Sequence, residues 1–283
     1  MPAPLPTGPL VTRDTLASGL ADLGVRRGET LLVHSSLSSL GRVNGGPVAA
    51  VGALLDVLGP DGTLVVPAQS GDLCDPAPWS DPPVPETWWE TMRATMPGYD
   101  PATAPTRGAG VVPETVRTRP GALRSAHPQT SFAALGRRAA EVVAVHAQDC
   151  RPGEHSPPAA LERLDARVLL PGTGYDTCAC LHLAGYRIPP PLVAVGRPGP
   201  AGRETLPEVP ITSGRFDEPG HDFERDRPAG RPVLRGTVGA AGVRLFPLPD
   251  AVAYARRWLE LHRPRTEEFR TRRSEACGPY LDS

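Results

Sequence analysis

Lysine is missing from this chain, since all 30 of its basic residues are arginine. This absence excludes a catalytic lysine that forms a Schiff base with the substrate, and it excludes a lysine ammonium group as an anchor for phosphate. It also excludes the phosphate loop of P-loop nucleotide hydrolases, which requires a lysine. Any contact to a phosphorylated ligand must therefore come from arginine, hydroxyl groups or backbone N–H groups.

The sequence also has little that would direct it to a membrane, to nucleic acid or out of the cell. No apolar run approaches the roughly 20 residues that a membrane span needs, and the first residues lack the pattern of a signal peptide. A formal net charge of -1 gives no basic footprint for nucleic acid. Five cysteines are an odd number for a disulfide framework, which favours reduced thiols. We therefore expect a cytoplasmic protein without membrane or nucleic-acid partners.

Helices and strands alternate over the first 68 residues. The first predicted helix has a hydroxyl residue ahead of a leucine series that stops at Gly24. Such alternation is typical of an α/β layer architecture, and a single domain over residues 1–283 is the simplest organisation. The predicted elements are helix 12–23, strand 29–37, helix 45–62 and strand 62–68.

The rest of the chain is less regular. Residues 69–108 are rich in proline, aspartate and tryptophan and predict a long loop, of a kind that is often functional in compact proteins. The remaining pattern predicts helices 110–119, 136–147, 156–164 and 250–263, a strand with a glycine turn at 166–176, and short strands near 191–196 and 209–213.

A serine-rich stretch follows the first predicted strand. The sequence VHSSLSSLGRVNGG, residues 33–46, brings four serines and a glycine pair just ahead of a predicted helix. Hydroxyls, free backbone N–H groups and a helix N-terminus together can form an anion site. An ordinary turn with a helix cap is the alternative, and the pattern alone leaves both open.

A second polar stretch, RPGALRSAHPQTSFAALG at residues 119–136, combines arginines, serines and a histidine. The proline after His127 holds that histidine in an extended or turn conformation. Taken alone, these residues are best interpreted as a surface loop.

The third stretch, DTCACLHLAGYR at residues 176–187, places Cys178, Cys180 and His182 at alternate positions. As a strand, it would put all three on one face, but C-x-C-x-H is not a zinc spacing and no second Cys/His pair lies nearby. A nucleophilic cysteine with its histidine base is another alternative. A helix that starts after the glycine turn, with His182 in its second turn, agrees best with the order of strand, glycine and cap.

Five stretches stand out by their order and spacing: HSSLSSLGRVNGG, MPGYDPATAP, RPGALRSAHPQTSFAALG, GEHSPPAALERL and LLPGTGYDTCACLHLAGYR. Together they resemble the aminoglycoside 3-N-acetyltransferases, a family distinct from the GNAT fold, from about residue 12 to about residue 262. The resemblance implies an acyl-CoA-dependent acyltransferase with a mixed central β-sheet flanked by helices on both faces and long loops forming the acceptor cleft. It also implies acetyl-CoA as co-substrate, direct transfer without a metal, and a role in antibiotic resistance or self-protection.

The resemblance assigns roles to individual residues. His182 matches the family's general base, which would take a proton from the acceptor ammonium before nitrogen attacks the thioester. Hydroxyl or N–H donors from the serine stretch or from residues 173–177 would stabilise the oxyanion. The residues implied to lie along acetyl-CoA are Ser35, Ser36, Leu37, Ser38, Leu40, Arg124, Ser125, His127, Ser131 and Ser156.

A polycationic aminoglycoside acceptor would give the acidic loop after residue 68 a role. Negative charge raises the local concentration of a cation, and tryptophans offer platforms for sugar rings. For any single carboxylate, solvation in a loop is the alternative. The candidate acceptor-binding residues are Asp72, Trp79, Glu86, Asp100 and Asp222.

The chain departs from the family motif on both sides of the histidine. The family has threonine three residues before it and glutamate three residues after it, where this sequence has Ala179 and Gly185. Another carboxylate could support the histidine instead. The candidates are Glu154, Asp176 and Asp222.

The departure leaves further hypotheses open. The acceptor could be a different amine- or hydroxyl-bearing metabolite of secondary metabolism, or the chain could bind CoA or drug without turnover. Cys180, two residues before His182, also leaves an acyl-cysteine route open. We expect a monomer or a homodimer.

Overall fold

A mixed seven-stranded sheet organises the fold. The computed structural model describes residues 10–70, 73, 75–77, 79, 82–148, 152–188, 194–196, 209–211, 216–226 and 231–262. The strands are β1 (Thr30–Val33), β2 (Thr63–Pro67), β3 (Leu123–Arg124), β4 (Phe132–Gly136), β5 (Arg167–Pro171), β6 (Ala194–Gly196), β7 (Val209–Ile211), β8 (Leu234–Val238) and β9 (Ala241–Pro247).

The strands of the main sheet lie in the order β3-β4-β2-β1-β5-β9-β8, and β6 pairs with β7 separately. At the centre, β1 is parallel to both β2 and β5, with Leu32 opposite Val65 on one side and Val168 on the other. The outer pairs are antiparallel. The mixed sheet expected from the family resemblance is confirmed.

Helices cover both faces of this sheet, as expected. The helices are α1 (Arg13–Leu23), α2 (Gly46–Leu58), α3 (Trp89–Thr95), α4 (Val111–Arg117), α5 (Ala139–Val143), α6 (Pro157–Arg163), α7 (Leu181–Tyr186), α8 (Asp217–Asp226) and α9 (Leu248–His262). Helices α1, α2 and α4 contribute to the core on one face, and α5 to α9 contribute to the core on the other. Short 3-10 turns lie at Ser38–Leu40, Glu86–Trp88 and Tyr175–Thr177.

The central strand β1 separates two apolar cores. Leu31 and Val33 pack with α1 and α2, whereas Leu32 packs on the opposite face with α7 and α9. All four residues of β1 are buried. A strand covered on both faces has no solvent-facing side, which is why Leu31 to Val33 are continuously apolar rather than alternating with polar residues.

Local sequence signals set the ends of α1. The Thr12 hydroxyl accepts a hydrogen bond from the Thr15 N–H, and the Thr15 hydroxyl in turn accepts one from the Thr12 N–H. Gly24 then ends the helix at a φ of 106°, a left-handed conformation that suits glycine. The predicted helix 12–23 is therefore confirmed.

Several predicted elements have different bounds. The helix predicted at 136–147 covers only Ala139–Val143, because Gly136 belongs to β4 and a turn at residues 137 and 138 follows it. The strand predicted at 29–37 ends at Val33, where the chain turns out of the sheet. The long loop predicted at 69–108 contains α3, which its irregular pattern did not indicate.

Candidate active site

The loops after β1 and β5 leave the sheet in opposite directions. From β1 the chain passes through α2 to β2, whereas from β5 it continues towards β8 and β9 on the other side. In open α/β sheets, such a divergence at the carboxyl ends of parallel strands creates a crevice where ligands bind. In this sheet that position is bordered by residues 34–41 after β1 and residues 172–182 after β5, and we call it the crevice.

Hydrogen bonds fix the two walls of the crevice to each other. The backbone N–H of His34 donates to the Leu169 carbonyl at 3.1 Å, and that of Ser36 donates to the Pro171 carbonyl at 3.0 Å. The Thr173 hydroxyl donates to the His34 carbonyl at 2.8 Å. Because donors of the first segment bond to the second and a donor of the second bonds back to the first, the two segments are held together.

The first wall is the serine turn, residues 35–40. The Ser39 hydroxyl donates to Ser36 Oγ at 2.9 Å, and Ser36 Oγ lies 3.1 Å from Ser38 Oγ. Ser38 is exposed and Ser35, Ser36 and Leu37 are half-buried. The turn therefore presents linked hydroxyls at the surface, while Leu40 anchors it in the core.

The second wall carries His182. A 3-10 turn follows the glycines, and α7 starts only at Leu181, so His182 lies in the first turn of the helix rather than in the second. Its half-buried imidazole packs against Phe216, with ring centroids 4.7 Å apart and the rings nearly perpendicular. The helical alternative for this stretch is thus the one that the structure adopts, with a later start.

The two cysteines before α7 are packed in the core. Cys178 and Cys180 are 1% and 0% exposed, and their sulfur atoms lie 3.3 Å apart. Burial raises the pKa of the Cys180 thiol, and the neighbouring Cys178 adds to this effect. A thiol in this state is a poor nucleophile, because the thiolate is the reactive form.

Two aspartates meet beside this wall. The Asp176 backbone N–H donates to Asp217 Oδ1 at 3.0 Å. A methyl group on Gly174 would lie 2.5 Å from Asp176 Oδ1 and 3.9 Å from Asp217 Oδ1, so both carboxylates border the same small space. Asp217 follows Phe216, the residue that packs on His182. Sequence reasoning had missed Asp217, although an acidic residue at the start of a helix is a common signal.

The other two candidate carboxylates have partners of their own. Glu154 receives two hydrogen bonds from Arg187, at 2.5 and 3.1 Å, and the hydrogen bonding of this guanidinium lowers the pKa of the carboxyl. Asp222 accepts a hydrogen bond from Trp258 Nε1 at 2.9 Å and pairs with Arg225 at 2.7 Å. Both therefore hold structural elements together, and their assigned roles stay predictions.

The second polar stretch is not the surface loop that its composition predicts. Ser125, His127 and Ser131 are 1%, 0% and 0% exposed. Arg124 donates to the carbonyls of Ala68 and Ala104 and to the hydroxyls of Ser131 and Ser70, the last two at 3.0 and 2.5 Å. These polar groups are buried because they satisfy one another.

Two buried histidines continue this network. Nδ1 of His127 accepts hydrogen bonds from the backbone N–H groups of Gln129 and Thr130, each at 3.1 Å. Ser125 Oγ accepts from the Phe132 N–H and lies 2.9 Å from Nδ1 of His146. Since a serine hydroxyl has a single proton, it can donate that proton to His146 while accepting from the backbone. The network thus fixes the backbone of residues 125–132 by hydrogen bonds in the protein interior.

The remaining predicted site residues are spread more widely. Ser156, at the start of α6, is buried and donates to the Gly153 carbonyl. Trp79 is half-buried and Glu86 is exposed. Asp100 accepts from the Ala102 N–H and the Thr103 hydroxyl, at 2.9 and 3.0 Å. Asp72 lies outside the described residues.

Within the part of the chain that the structure describes, no cluster of three or more His, Cys, Asp or Glu side chains is arranged to hold a metal ion. Among the same residues, no helix combines the length and the apolar character that a membrane crossing needs.

Comparison with known proteins gives this arrangement a family. Residues 32–260 match the sequence pattern of the aminoglycoside 3-N-acetyltransferases. The chain belongs to the aminoglycoside 3-N-acetyltransferase family. It is 41% identical over 254 residues to the SPbeta prophage-derived aminoglycoside N(3')-acetyltransferase-like protein YokD of Bacillus subtilis (strain 168), covering 88% of this chain and 92% of YokD. It is 37% identical over 267 residues to aminoglycoside N(3)-acetyltransferase VII of Streptomyces paromomycinus, with the same two coverages, 88% and 92%.

Solved structures agree with this assignment. The crystal structure of YokD from Bacillus subtilis matches with a TM-score of 0.83 at 39% identity, covering 89% of this chain and 94% of that one. The structure of AAC-IIIb with CoASH matches at 0.74 and 32%, covering 89% and 97%. AAC-VIa bound to sisomicin matches at 0.74 and 30%, covering 90% and 98%. The resemblance drawn from the sequence is confirmed, and so is the prediction of an acyltransferase enzyme.

Proposed function

We propose that this protein transfers the acetyl group of acetyl-CoA to an aminoglycoside, at the 3-amino group of its aminocyclitol ring. The observation that carries the proposal is the position of His182 on one wall of the crevice, with the hydroxyl-rich serine turn on the other. The binary complex of the related AAC-IIIb with CoASH supports CoA as the carrier. The sisomicin complex of AAC-VIa supports an aminoglycoside as the acceptor.

In this proposal His182 is the general base. It takes a proton from the acceptor ammonium, which frees the nitrogen lone pair for attack on the thioester carbonyl. The imidazolium then returns a proton to the departing thiolate. Imidazole suits both steps because its ordinary pKa lies near neutrality. The transfer is direct and needs no metal.

The serine turn fits the co-substrate in chemical terms. In a chain without lysine, phosphates must be bound by arginine, hydroxyls or backbone N–H groups, and the turn presents such hydroxyls at Ser36 and Ser38. The buried network around Arg124 and His127 has its polar atoms directed largely at the protein. We therefore propose that this network shapes the wall along acetyl-CoA rather than binding its phosphates.

The aspartate pair would supply negative charge where the acceptor binds. Asp176 and Asp217 border one space next to Phe216 and His182, and two carboxylates there would attract the ammonium group that reacts. We propose that they take over from the family glutamate, whose position is occupied by Gly185. Acetylation removes one positive charge from the drug, which weakens its attraction to nucleic-acid phosphates. Antibiotic resistance or self-protection would follow.

We further propose that residues 1–283 act as one catalytic domain, as a monomer or a homodimer. The family match from residue 32 to residue 260 and the main sheet, which joins β1 to β5 with β8 and β9, support a single domain. Sedimentation of the purified protein would distinguish the two assembly states.

The first experiment is thiol release from acetyl-CoA by the purified protein, with a panel of aminoglycosides and mass analysis of the products. We expect a product one acetyl group heavier for drugs with a free 3-amino group. A matched control is an aminoglycoside whose ring carries guanidino groups instead of amines, for which no thiol release is expected. Acetyl-CoA without acceptor gives the rate of hydrolysis.

Gly185 favours a second candidate, a transferase for another amine- or hydroxyl-bearing metabolite, because a changed motif can accompany a changed acceptor. If none of the aminoglycosides causes thiol release although acetyl-CoA binds tightly, that result would support this second candidate. Binding of CoA without thiol release for any amine or alcohol tested would instead support a non-catalytic relative.

The acyl-cysteine alternative makes a separate prediction. Cys180→Ala is expected to keep kcat within about threefold of the wild type, because the buried thiol with its raised pKa is not the nucleophile. Cys178→Ala is a matched control, since Cys178 is equally buried and loses the same sulfur contact. A much larger loss for Cys180→Ala than for Cys178→Ala, with an acetylated protein mass after incubation with acetyl-CoA, would contradict direct transfer.

A further inference from the structure

A second histidine, His34, lies in the crevice, and neither the family resemblance nor the sequence pattern gave it a role. It follows β1 directly and is only 6% exposed. Its backbone is fixed on both sides by the Leu169 carbonyl and the Thr173 hydroxyl. Its ring nitrogen Nε2 is buried and has no hydrogen-bond partner among the described residues.

Strand alternation places His34 on the same side of the sheet as His182. Side chains two residues apart on a strand share a face, so His34 lies on the face of Leu32. Leu32 packs in the same core as Leu181 and Leu183, the residues on either side of His182. In agreement, burial and then the charge of His182 lower the pKa of His34 to about 3. His34 is therefore a neutral imidazole throughout the physiological pH range.

A buried polar nitrogen without a partner needs an explanation. Buried donors and acceptors are almost always hydrogen-bonded, and a catalytic role is one of the explanations for an exception. The orphan nitrogen belongs to the residue that directly follows the central strand, on the same side of the sheet as His182. A neutral imidazole there can donate one N–H without competing with His182 for the proton in transfer.

We propose that His34 is an oxyanion donor, whose Nε2–H hydrogen-bonds the thioester carbonyl oxygen of the acyl-CoA. The inference rests on the proposed function. The acceptor nitrogen forms a bond to the carbonyl carbon, and the π electrons move to oxygen, where the His34 N–H stabilises the negative charge. The carbonyl then re-forms, the carbon–sulfur bond breaks, and the thiolate leaves and takes the proton held by His182.

Two substitutions of His34 test this role in steady-state kinetics. His34→Phe keeps a ring of similar size but removes both nitrogens, whereas His34→Gln keeps an N–H donor near the position of Nε2. We expect His34→Phe to lower kcat by about a hundredfold, with both KM values nearly unchanged. His34→Gln should recover most of that loss. The affinity for CoA, which lacks the thioester carbonyl, should be the same in the wild type and in both variants.

A second readout does not depend on turnover. The infrared carbonyl stretch of acetyl-CoA labelled with carbon-13 at the carbonyl should move to lower frequency on binding to the wild type, because a hydrogen bond weakens the C=O bond. The shift should be absent in His34→Phe and partly present in His34→Gln. If no aminoglycoside is acetylated but the shift depends on His34, the acceptor assignment fails and the oxyanion donor stands.

Three results would overturn the proposal. One is a His34→Phe variant that turns over like the wild type and keeps the carbonyl shift. Another is equal losses for both variants together with lowered melting temperatures, which would make His34 a packing residue. The third is an unchanged limiting rate with a displaced pH profile of kcat/KM, which would mean that His34 acts only through His182.

Discussion

Replacing His182 by alanine is expected to lower kcat by about a thousandfold, because the acceptor ammonium then has no positioned base. The imidazole lies in the first turn of α7, held against Phe216 with ring centroids 4.7 Å apart. The loss should fall on kcat while acetyl-CoA still binds, because the serine turn lies on the opposite wall of the crevice. Thiol-release kinetics and titration calorimetry with CoA measure the two effects separately.

His221→Ala is the matched control for this substitution. His221 also packs edge-on against an aromatic ring, that of Tyr175 at 5.6 Å, but it is exposed and has no assigned role in the proposed transfer. We expect its kcat to stay within about twofold of the wild type. A His182→Ala protein that keeps a tenth or more of the wild-type activity would contradict the role of His182 and require another base.

The first half of the central sheet could be predicted from the sequence because its signals are local. A capping threonine and a closing glycine mark the ends of α1, and the continuous apolar runs of β1 and β2 indicate strands covered on both faces. The outer strands carry weaker signals. In β8 the middle residues are exposed, so that no apolar run marks the strand. The helix α8 contains Pro219 and Gly220, which concealed its period.

The buried polar network could not be predicted because its partners are distant in sequence. Arg124 reaches back to Ala68 and Ala104, and it brings Ser131 out of contact with water. A local pattern of arginine, serine and histidine resembles a surface loop whether or not such partners exist. Burial of polar groups depends on hydrogen bonds that form only in the folded chain.

The same reasoning applies to the carboxylates. Glu154 was an attractive candidate by sequence, but Arg187 lies against it in the structure. Asp217 is 35 residues after His182 in the sequence, and Phe216 brings it close to this histidine. Which acidic residue lies near His182 therefore depends on packing, whereas His182 itself stands in a recognisable motif and could be singled out from the sequence, its role as base staying a prediction.

Gly172→Ala is expected to disturb the crevice strongly, because this glycine lies directly against the serine turn. Its φ is 68°, and a methyl group on it would lie 2.3 Å from the Cβ of Ser39 and 2.7 Å from its hydroxyl. The serine turn would have to move away from β5. We expect a loss of about 3 kcal/mol in the free energy of unfolding and a KM for acetyl-CoA that rises about tenfold.

Gly28→Ala separates backbone strain from this collision. Gly28 has a similar φ of 80°, but it precedes the other end of β1, and a methyl group there would meet only the Cβ of Asp61 at 3.9 Å. Urea unfolding should show a loss of about 1 kcal/mol, and the KM for acetyl-CoA should not change. If Gly172→Ala were destabilised but kept its KM, the position of the serine turn would not matter for the co-substrate. The phosphate contacts would then have to come from arginines, hydroxyls or backbone N–H groups elsewhere, since the chain has no lysine.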